Sequence, residues 1–233
     1  MERRKFIRYE EYPKGGSEST INITKDGIYK KFRPTISIYT RKRKEKMLLY
    51  LETIEELKLY YPEIRYFVEV LFATYLKGYV MKTIIGGEFD STAYDSEEKL
   101  KALNDLKKII ELFKKYGLYY FDIRIPNILL NSDHNPILLD IDSLLFKGEK
   151  PDATPYFIKR YIARGGKIDE HAQILMFNRF TLSCFQQFDL ETYIDVDREG
   201  IEIINDSKML DSSFDHEYLI DHIKRKTRWY YEK

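Results

Sequence analysis

Cysteine is nearly absent from this chain, since Cys184 is the only one among 233 residues. A single thiol cannot form a disulfide within the chain, which is typical of proteins in a reducing compartment. No apolar run approaches the roughly 18 residues that a membrane-spanning helix needs. The charged start, residues 1–6, lacks the apolar core of a secretory signal. We therefore expect a cytoplasmic protein that makes no contact with a membrane.

Several motifs that define other functional classes are also missing. The chain has four scattered histidines, no H-E-x-x-H and no paired C-x-x-C, so no zinc site is predicted. Neither G-x-S-x-G nor a Cys–His arrangement for nucleophilic catalysis is present. The formal net charge of +1 argues against a protein whose main task is to bind nucleic acid. The basic run at residues 41–44 (RKRK) is interpreted as the charged start of a helix.

The length suits one large domain or two small lobes, and the hydrophobic pattern changes close to residue 90. Residues before this point predict a strand-rich unit with one helix, and the Asp26-Gly27 pair predicts a hairpin. We expect two domains, residues 1–85 and 86–233, in the α+β class. The predicted strands of the first domain are residues 6–11, 20–24, 27–32, 67–73 and 78–85, and the predicted helix is residues 41–60.

The second domain is predicted to be mainly helical. Asp95, followed by Glu98 three residues later, is typical of a helix start, and Gly117 is a plausible helix end. Between them, apolar residues recur at helical spacing, namely Leu103, Leu106, Ile110 and Phe113. Further elements are predicted as short strands at 128–130 and 137–139 and as helices at 172–185 and 212–229.

Two carboxylates and a carboxamide stand at a spacing that suggests chemistry. Asp122 and Asn127 lie in Y-F-D-I-R-I-P-N, and Asp140 follows in L-D-I-D. Phosphoryl transfer from a magnesium nucleotide uses one carboxylate as a proton acceptor, and a carboxamide with a second carboxylate as metal ligands. Mg²⁺ is a hard cation that prefers such oxygen ligands. The pattern therefore favours a phosphotransferase.

These residues resemble the catalytic and metal loops of the protein kinase family, H-R-D-x-x-x-x-N followed by D-F-G. The resemblance implies that Asp122 is the catalytic base and that Arg124 neutralises the transferring phosphoryl group. It also implies that Asn127 and Asp140 bind Mg²⁺, with Asp142 as the alternative to Asp140. Asp142 stands where the family has glycine and is interpreted as a turn cap or as a water-mediated metal contact. The implied fold has two lobes: an antiparallel β-sheet N-lobe with one helix, and a reduced, mainly helical C-lobe.

The same resemblance implies an anchor for the phosphates of ATP. Lys30 and Lys31 are both available on the third strand, and Lys30 is chosen because it shares a face with Ile28, which would cover the adenine. Glu45 is expected to orient Lys30 by an ion pair, with Glu52 as the alternative.

The remaining nucleotide contacts come from two glycine-containing segments. Gly15, Gly16 and Ser17 form a weak candidate for a phosphate cover, although a plain hairpin turn explains them about as well. The segment G-Y-V-M-K-T-I-I-G-G-E resembles the strand and hinge of protein kinases. In that comparison the gatekeeper is Met81, adenine is bound by the Lys82 and Ile84 backbones, and ribose is reached by Glu88.

The sequence also departs from the family. Tyr120 and Phe121 replace the His-Arg of H-R-D, so activation through a phosphorylated loop that docks on that Arg is not expected. Gln173 stands where a buried helix normally supplies the Asp that supports the catalytic loop. The C-terminal part is short, which is typical of small, divergent bacterial or viral kinase-like proteins and implies a compact substrate platform.

The favoured hypothesis is an ATP- and Mg²⁺-dependent kinase that phosphorylates a hydroxyl, with protein Ser or Thr preferred. A small-molecule kinase acting on a sugar, an aminoglycoside or a choline-like acceptor is an alternative, because fold does not decide the acceptor. A pseudokinase that only binds is a third. The joint presence of Lys30, Asp122, Asn127 and Asp140 argues against it. The sequence predicts neither the oligomeric state nor the regulation.

Overall fold

The computed structural model describes residues 1–11, 16–89, 94–151 and 156–185, together with Asp221. The helix predicted at 212–229 and the candidate glycine Gly15 therefore lie outside the described residues, apart from Asp221. The described part combines a six-stranded sheet with several helices, which confirms the α+β class. Its elements are, in chain order, β1 (Glu2–Arg4), β2 (Glu10–Glu11), β3 (Ser19–Thr24), β4 (Gly27–Phe32), α1 (Ile38–Leu51), a 3₁₀ helix (Glu55–Tyr60), β5 (Ile64–Glu69), β6 (Leu76–Met81), β7 (Gly87–Glu88), α2 (Ser96–Lys115), β8 (Leu118–Tyr119), a 3₁₀ helix (Ile125–Asn127), β9 (Ile128–Leu130), β10 (Pro136–Leu138), a 3₁₀ helix (Ile141–Ser143), β11 (Leu145–Phe146), α3 (Tyr156–Ala163) and α4 (Glu170–Phe185).

The chain divides into two compact units. The first contains Met1–Gly86 together with Ile137–Ser143, and the second contains Gly87–Pro136 and the chain from Leu144 onward. The sequence predicts a single division after residue 85 and does not predict that residues 137–143 belong to the first unit. This segment brings Asp140 and Asp142 into the same unit as Lys30.

The sheet of the first unit has the order β1-β5-β6-β4-β3-β2. The β3–β4 hairpin confirms the turn predicted at Asp26-Gly27, and Gly27 adopts φ +137°. The predicted antiparallel sheet is wrong at one edge, because β1 pairs in parallel with β5 and the sheet is therefore mixed. The sequence of β1, E-R-R, has no apolar alternation that would have identified it as a strand.

The helix predicted at residues 41–60 is shorter and starts earlier. Ser37 caps α1 by accepting a hydrogen bond from the Thr40 amide over 3.0 Å. The helix ends at Leu51, and Ile54 is extended before the 3₁₀ helix begins. Leu57 is nevertheless completely buried. The apolar spacing therefore continued through a break in the backbone, which the periodicity alone did not reveal.

The second unit is built around α2 and α4, which pack together. Asp95 and Glu98 form the predicted capping box of α2, and Gly117 follows the helix at φ +66°. The short strands form two antiparallel pairs within this unit, β7 with β9 and β8 with β11. The predicted apolar stripe of α2 is buried: Leu103, Leu106, Ile110 and Phe113.

Candidate functional site

Asp142 lies at the centre of a buried ion cluster in the first unit. Its side chain is 0% exposed. Its Oδ1 accepts hydrogen bonds from Tyr79 Oη over 2.8 Å and from Lys30 Nζ over 2.5 Å, and its Oδ2 accepts one from Lys44 Nζ over 2.9 Å. Both oxygens thus bind side-chain donors within this unit. The interpretation of Asp142 as a turn cap is therefore wrong, because two cations and a hydroxyl surround it.

The secondary structure explains why these groups meet. Lys30 on β4 is the register partner of Tyr79 on β6, so their side chains leave the same face of the sheet next to each other. Lys44 lies on the buried side of α1, which contacts the 3₁₀ helix that carries Asp142. Three separate elements, β4, β6 and α1, therefore hold one carboxylate.

The cluster stays charged although it is buried. Burial raises the pKa of Asp142, but the charges of Lys30 and Lys44 outweigh this effect and hold the pKa well below its ordinary value. Burial lowers the pKa of Lys30, but Asp142 and then Asp140 raise it above its ordinary value. For Lys44, burial is likewise outweighed, chiefly by Asp142, and its pKa is raised. All three groups are therefore ionised at neutral pH.

Asp140, the predicted metal ligand, is the more accessible of the two carboxylates. Its side chain is 31% exposed, and its Oδ1 contacts Lys30 Nζ. Its backbone adopts φ +52°, a left-handed conformation that few residues other than glycine adopt. Among the described residues, Oδ2 of Asp140 makes no hydrogen bond or ion pair. This oxygen therefore has no partner among the residues that the structure describes.

The two neighbouring lysines of β4 make different contacts. Lys30 is 5% exposed and meets both carboxylates, whereas Lys31 Nζ donates to Tyr9 Oη over 2.7 Å. Successive side chains of a strand point to opposite faces, which separates the two amines. Of the two, Lys30 is the one next to the predicted metal ligand.

The ion pair predicted between Lys30 and Glu45 is not formed. Glu45 contacts Arg3 Nη2, and Arg3 Nη1 also contacts Glu69 Oε1 over 2.8 Å. The alternative, Glu52, accepts a hydrogen bond from Tyr61 Oη over 3.4 Å. Both glutamates lie on α1 or at its end, but neither meets Lys30. The prediction is wrong because Asp142 takes the place beside the lysine.

The catalytic-loop residues meet within the second unit. Asn127 Nδ2 donates to the backbone oxygen of Asp122 over 3.0 Å and to its Oδ2 over 2.8 Å. Arg124 Nε lies 3.0 Å from Asp122 Oδ1. The amide nitrogen of Asn127 therefore steadies the loop, while its side-chain oxygen takes no part in these two bonds. Arg124 therefore places a positive charge beside the Asp122 carboxylate.

Gln173 supports this loop from α4. Its Oε1 accepts a hydrogen bond from the Tyr120 amide over 2.8 Å, and its side chain is almost completely buried. Its Nε2 donates to the Ile110 carbonyl of α2 over 3.5 Å. Gln173 thus links both helices to the residue two positions before Asp122.

The structure describes most of the residues that were predicted to contact the nucleotide. Gly16 and Ser17 are exposed, and Arg33 Nε donates to the Gly16 carbonyl over 3.0 Å. Ile28 and Met81 are register partners in β4 and β6. The backbone of Glu88 lies in β7.

One backbone amide of the predicted hinge already has a hydrogen-bond partner within the protein. The Lys82 amide already donates to the Glu63 carbonyl over 2.8 Å. Within the described part of the chain, the Ile84 amide makes no backbone hydrogen bond. The resemblance to protein kinases assigned the backbones of these two residues to adenine.

Lys44 and Tyr79 are the site residues that sequence reasoning missed. Arg41 and Lys44 are 5% and 2% exposed, so this part of the basic run is not a solvated surface. A signal was present, because Arg41 and Lys44 continue the spacing of the buried residues Leu48 and Leu51 on one face of α1. The prediction of the buried helix face used only its apolar residues and therefore did not include Arg41 and Lys44.

Comparisons with known proteins do not assign a family. A scan against protein-family models finds no match for the chain, and a search of curated proteins finds no significant relative. Among the residues that the structure describes, no group of three or more His, Cys, Asp and Glu side chains is arranged to hold a metal ion. In the same residues, no helix has both the length and the apolar character needed to span a membrane.

Proposed function

We propose that the protein is an ATP- and Mg²⁺-dependent phosphotransferase of the protein kinase-like superfamily. In this proposal the two units are its N-lobe and C-lobe, and it acts in the cytoplasm on a hydroxyl group, preferably of protein Ser or Thr. The observation that carries the proposal is the contact between Lys30 and Asp140, which lie 110 positions apart. The resemblance to protein kinases assigns Lys30 to the phosphates and Asp140 to the metal. The two side chains contact each other within one unit.

Asp140 and Asn127 each carry an oxygen atom of the kind that Mg²⁺ prefers. Asp140 offers a carboxylate that is partly exposed, and Asn127 offers a carboxamide oxygen while its nitrogen is bound to Asp122. Both are hard oxygen ligands, and the phosphates of ATP would complete the coordination shell. When bound, the ion would neutralise charge on the β- and γ-phosphates.

The residues of the chain have distinct roles in the proposed reaction. The acceptor hydroxyl gives its proton to Asp122, while its oxygen forms a bond to the γ-phosphorus. The bond between the γ-phosphorus and the β–γ bridging oxygen breaks, and ADP leaves with that oxygen. Lys30 binds the α- and β-phosphates, and the guanidinium of Arg124 compensates charge on the transferring group.

Phosphotransfer with ATP and Mg²⁺ tests the proposal directly. We expect Asp122→Ala to lower the rate by about two orders of magnitude or more while nucleotide still binds, because general-base catalysis contributes about 10²–10⁴-fold. Asp133→Ala is the matched control, since Asp133 is an exposed residue of the turn between β9 and β10. Equal rates in the wild type and Asp122→Ala would remove Asp122 from the mechanism.

The choice of acceptor in the same assay separates the alternatives. Labelling of the protein itself or of a protein mixture supports a Ser/Thr kinase. ATP turnover that needs a sugar, an aminoglycoside or a choline-like compound supports a small-molecule kinase. Nucleotide binding without turnover on any acceptor would indicate a pseudokinase and contradict the proposal.

A further inference from the structure

We propose that Asp142 positions Lys30 for phosphate binding, in the role that the sequence comparison assigned to Glu45. The inference rests on the proposed function, because it concerns the lysine that would bind the phosphates. It starts from an exchange of partners: Glu45 contacts Arg3, and Lys30 contacts Asp142. The residue that replaces a glycine in the family pattern thus occupies the place of a helical glutamate.

Asp142 is suited to this role because other residues fix the position of its carboxylate. Tyr79 Oη on β6 and Lys44 Nζ on α1 both donate to its carboxylate, over 2.8 and 2.9 Å. The Asp142 side chain is 0% exposed, so water does not compete for these hydrogen bonds. A carboxylate held by two other elements restricts where Lys30 Nζ can lie.

Asp140 also contacts Lys30 but is less suited to hold it. Its side chain is 31% exposed, and it is the proposed ligand of a cation. A carboxylate that binds a cation shares its charge between two partners. Asp142 would continue to supply a buried counter-charge to Lys30 in that state, so the lysine would stay in place.

Lys44 balances the charge that Asp142 brings into the interior. Its Nζ also lies 3.0 Å from Glu18 Oε2, next to the candidate phosphate cover at Gly16 and Ser17. The cluster therefore alternates in sign from Glu18 through Lys44, Asp142 and Lys30 to Asp140. Because each charge has an opposite neighbour, burying the group is tolerable.

Amine labelling read by mass spectrometry tests the inference without relying on activity. In the wild type we expect Lys30 to react at least about tenfold more slowly than the exposed Lys25, because Lys30 is buried and its Nζ is bound by Asp142 and Asp140. Asp142→Asn should speed the labelling of Lys30 by about tenfold, because the amine loses a charged partner at 2.5 Å. Glu45→Gln should leave the rate within about twofold, because Glu45 contacts Arg3 and not Lys30. Equal labelling of Lys30 and Lys25 in the wild type would overturn the inference.

Two further outcomes would also overturn it. One is an unchanged labelling rate of Lys30 in Asp142→Asn, and the other is an equal increase of that rate in Glu45→Gln. If Asp142→Asn does not fold, the charge-balanced double variant Asp142→Asn/Lys44→Met replaces it, with the same expectation for Lys30. If neither folds, the wild-type comparison of Lys30 with Lys25 decides.

Nucleotide kinetics distinguish positioning from a general structural defect. We expect Asp142→Asn to raise the KM for ATP by about tenfold, since a mispositioned lysine weakens phosphate binding. A defect that only reduces the amount of folded enzyme would lower the apparent kcat and leave KM unchanged, which would contradict the inference. If the wild type shows no phosphotransfer, the proposed function fails, whereas the labelling result still tests the link between Asp142 and Lys30.

Discussion

Lys44 Nζ lies 2.9 Å from Asp142 Oδ2, although the two residues are 98 positions apart and their side chains are only 2% and 0% exposed. Such a buried pair costs desolvation energy, and removing either partner leaves an uncompensated charge in the interior. The pair therefore holds α1 against the segment around Asp142. It also makes the predicted site sensitive to pH and to small changes in its neighbours.

Acid should reduce the stabilisation that Asp142 provides. Its folded-state pKa is lowered, so this contribution is complete above the ordinary carboxyl pKa of about 4 and is lost as pH falls below it. We expect Asp142→Asn to unfold more easily than the wild type at neutral pH, with the difference shrinking steadily below about pH 4. Urea titrations from pH 7 to pH 2 measure this difference. The exposed Asp133→Asn should match the wild type throughout, and a gap that is constant with pH would contradict the assignment.

Tyr79→Phe should destabilise the first unit without changing its charge. The substitution removes the hydroxyl that donates to Asp142 over 2.8 Å, and hydrogen bonds to charged groups contribute about 1.5–3 kcal/mol. We expect the free energy of unfolding to fall by that amount, measured by urea denaturation. Tyr39→Phe, at a side chain that is 78% exposed, is the control and should change little. Similar losses in both variants would show that the hydrogen bond is not the cause.

Asp140→Asn and Asp142→Asn should weaken nucleotide binding in different ways. Asp140 is the proposed metal ligand, so its replacement should reduce the gain in ATP affinity that Mg²⁺ provides. Asp142 acts through Lys30, so its replacement should weaken binding with and without Mg²⁺ alike. Calorimetric titration of ATP in the presence and absence of Mg²⁺ measures both effects. The opposite pattern would transfer the metal role to Asp142.

Gly78→Ala should disturb the strand that carries Lys30. A Cβ atom at Gly78 would lie 2.1 Å from the Lys30 carbonyl and 2.7 Å from the Tyr29 ring, so the backbones of β4 and β6 would have to separate. We expect a loss of about 1–3 kcal/mol in unfolding free energy, as for overpacked cores. Gly16→Ala is the control, because a Cβ there meets nothing within 4 Å. Thermal unfolding of the two variants compares them, and an unchanged Gly78→Ala would show that the strands can adjust without cost.

Much of the local structure follows from sequence because it depends on neighbours along the chain. The capping box of Asp95 and Glu98, the end of α2 at Gly117 and the hairpin at Gly27 are set by interactions within a few residues. The same holds for the spacing of Asp122 and Asn127, whose side chains meet inside one loop. These features were therefore predictable.

The partners of buried charges depended on tertiary structure. The sequence offered Glu45 and Glu52 to Lys30, both at helical spacing, yet strand register and the return of residues 137–143 placed Asp142 there. The same packing directed Lys44 inward and Glu45 to Arg3. Sequence alone determined which ionisable groups were available. Only the fold decided their pairing, because a charge buried among distant segments is stabilised by whichever opposite charge the packed backbone brings within reach.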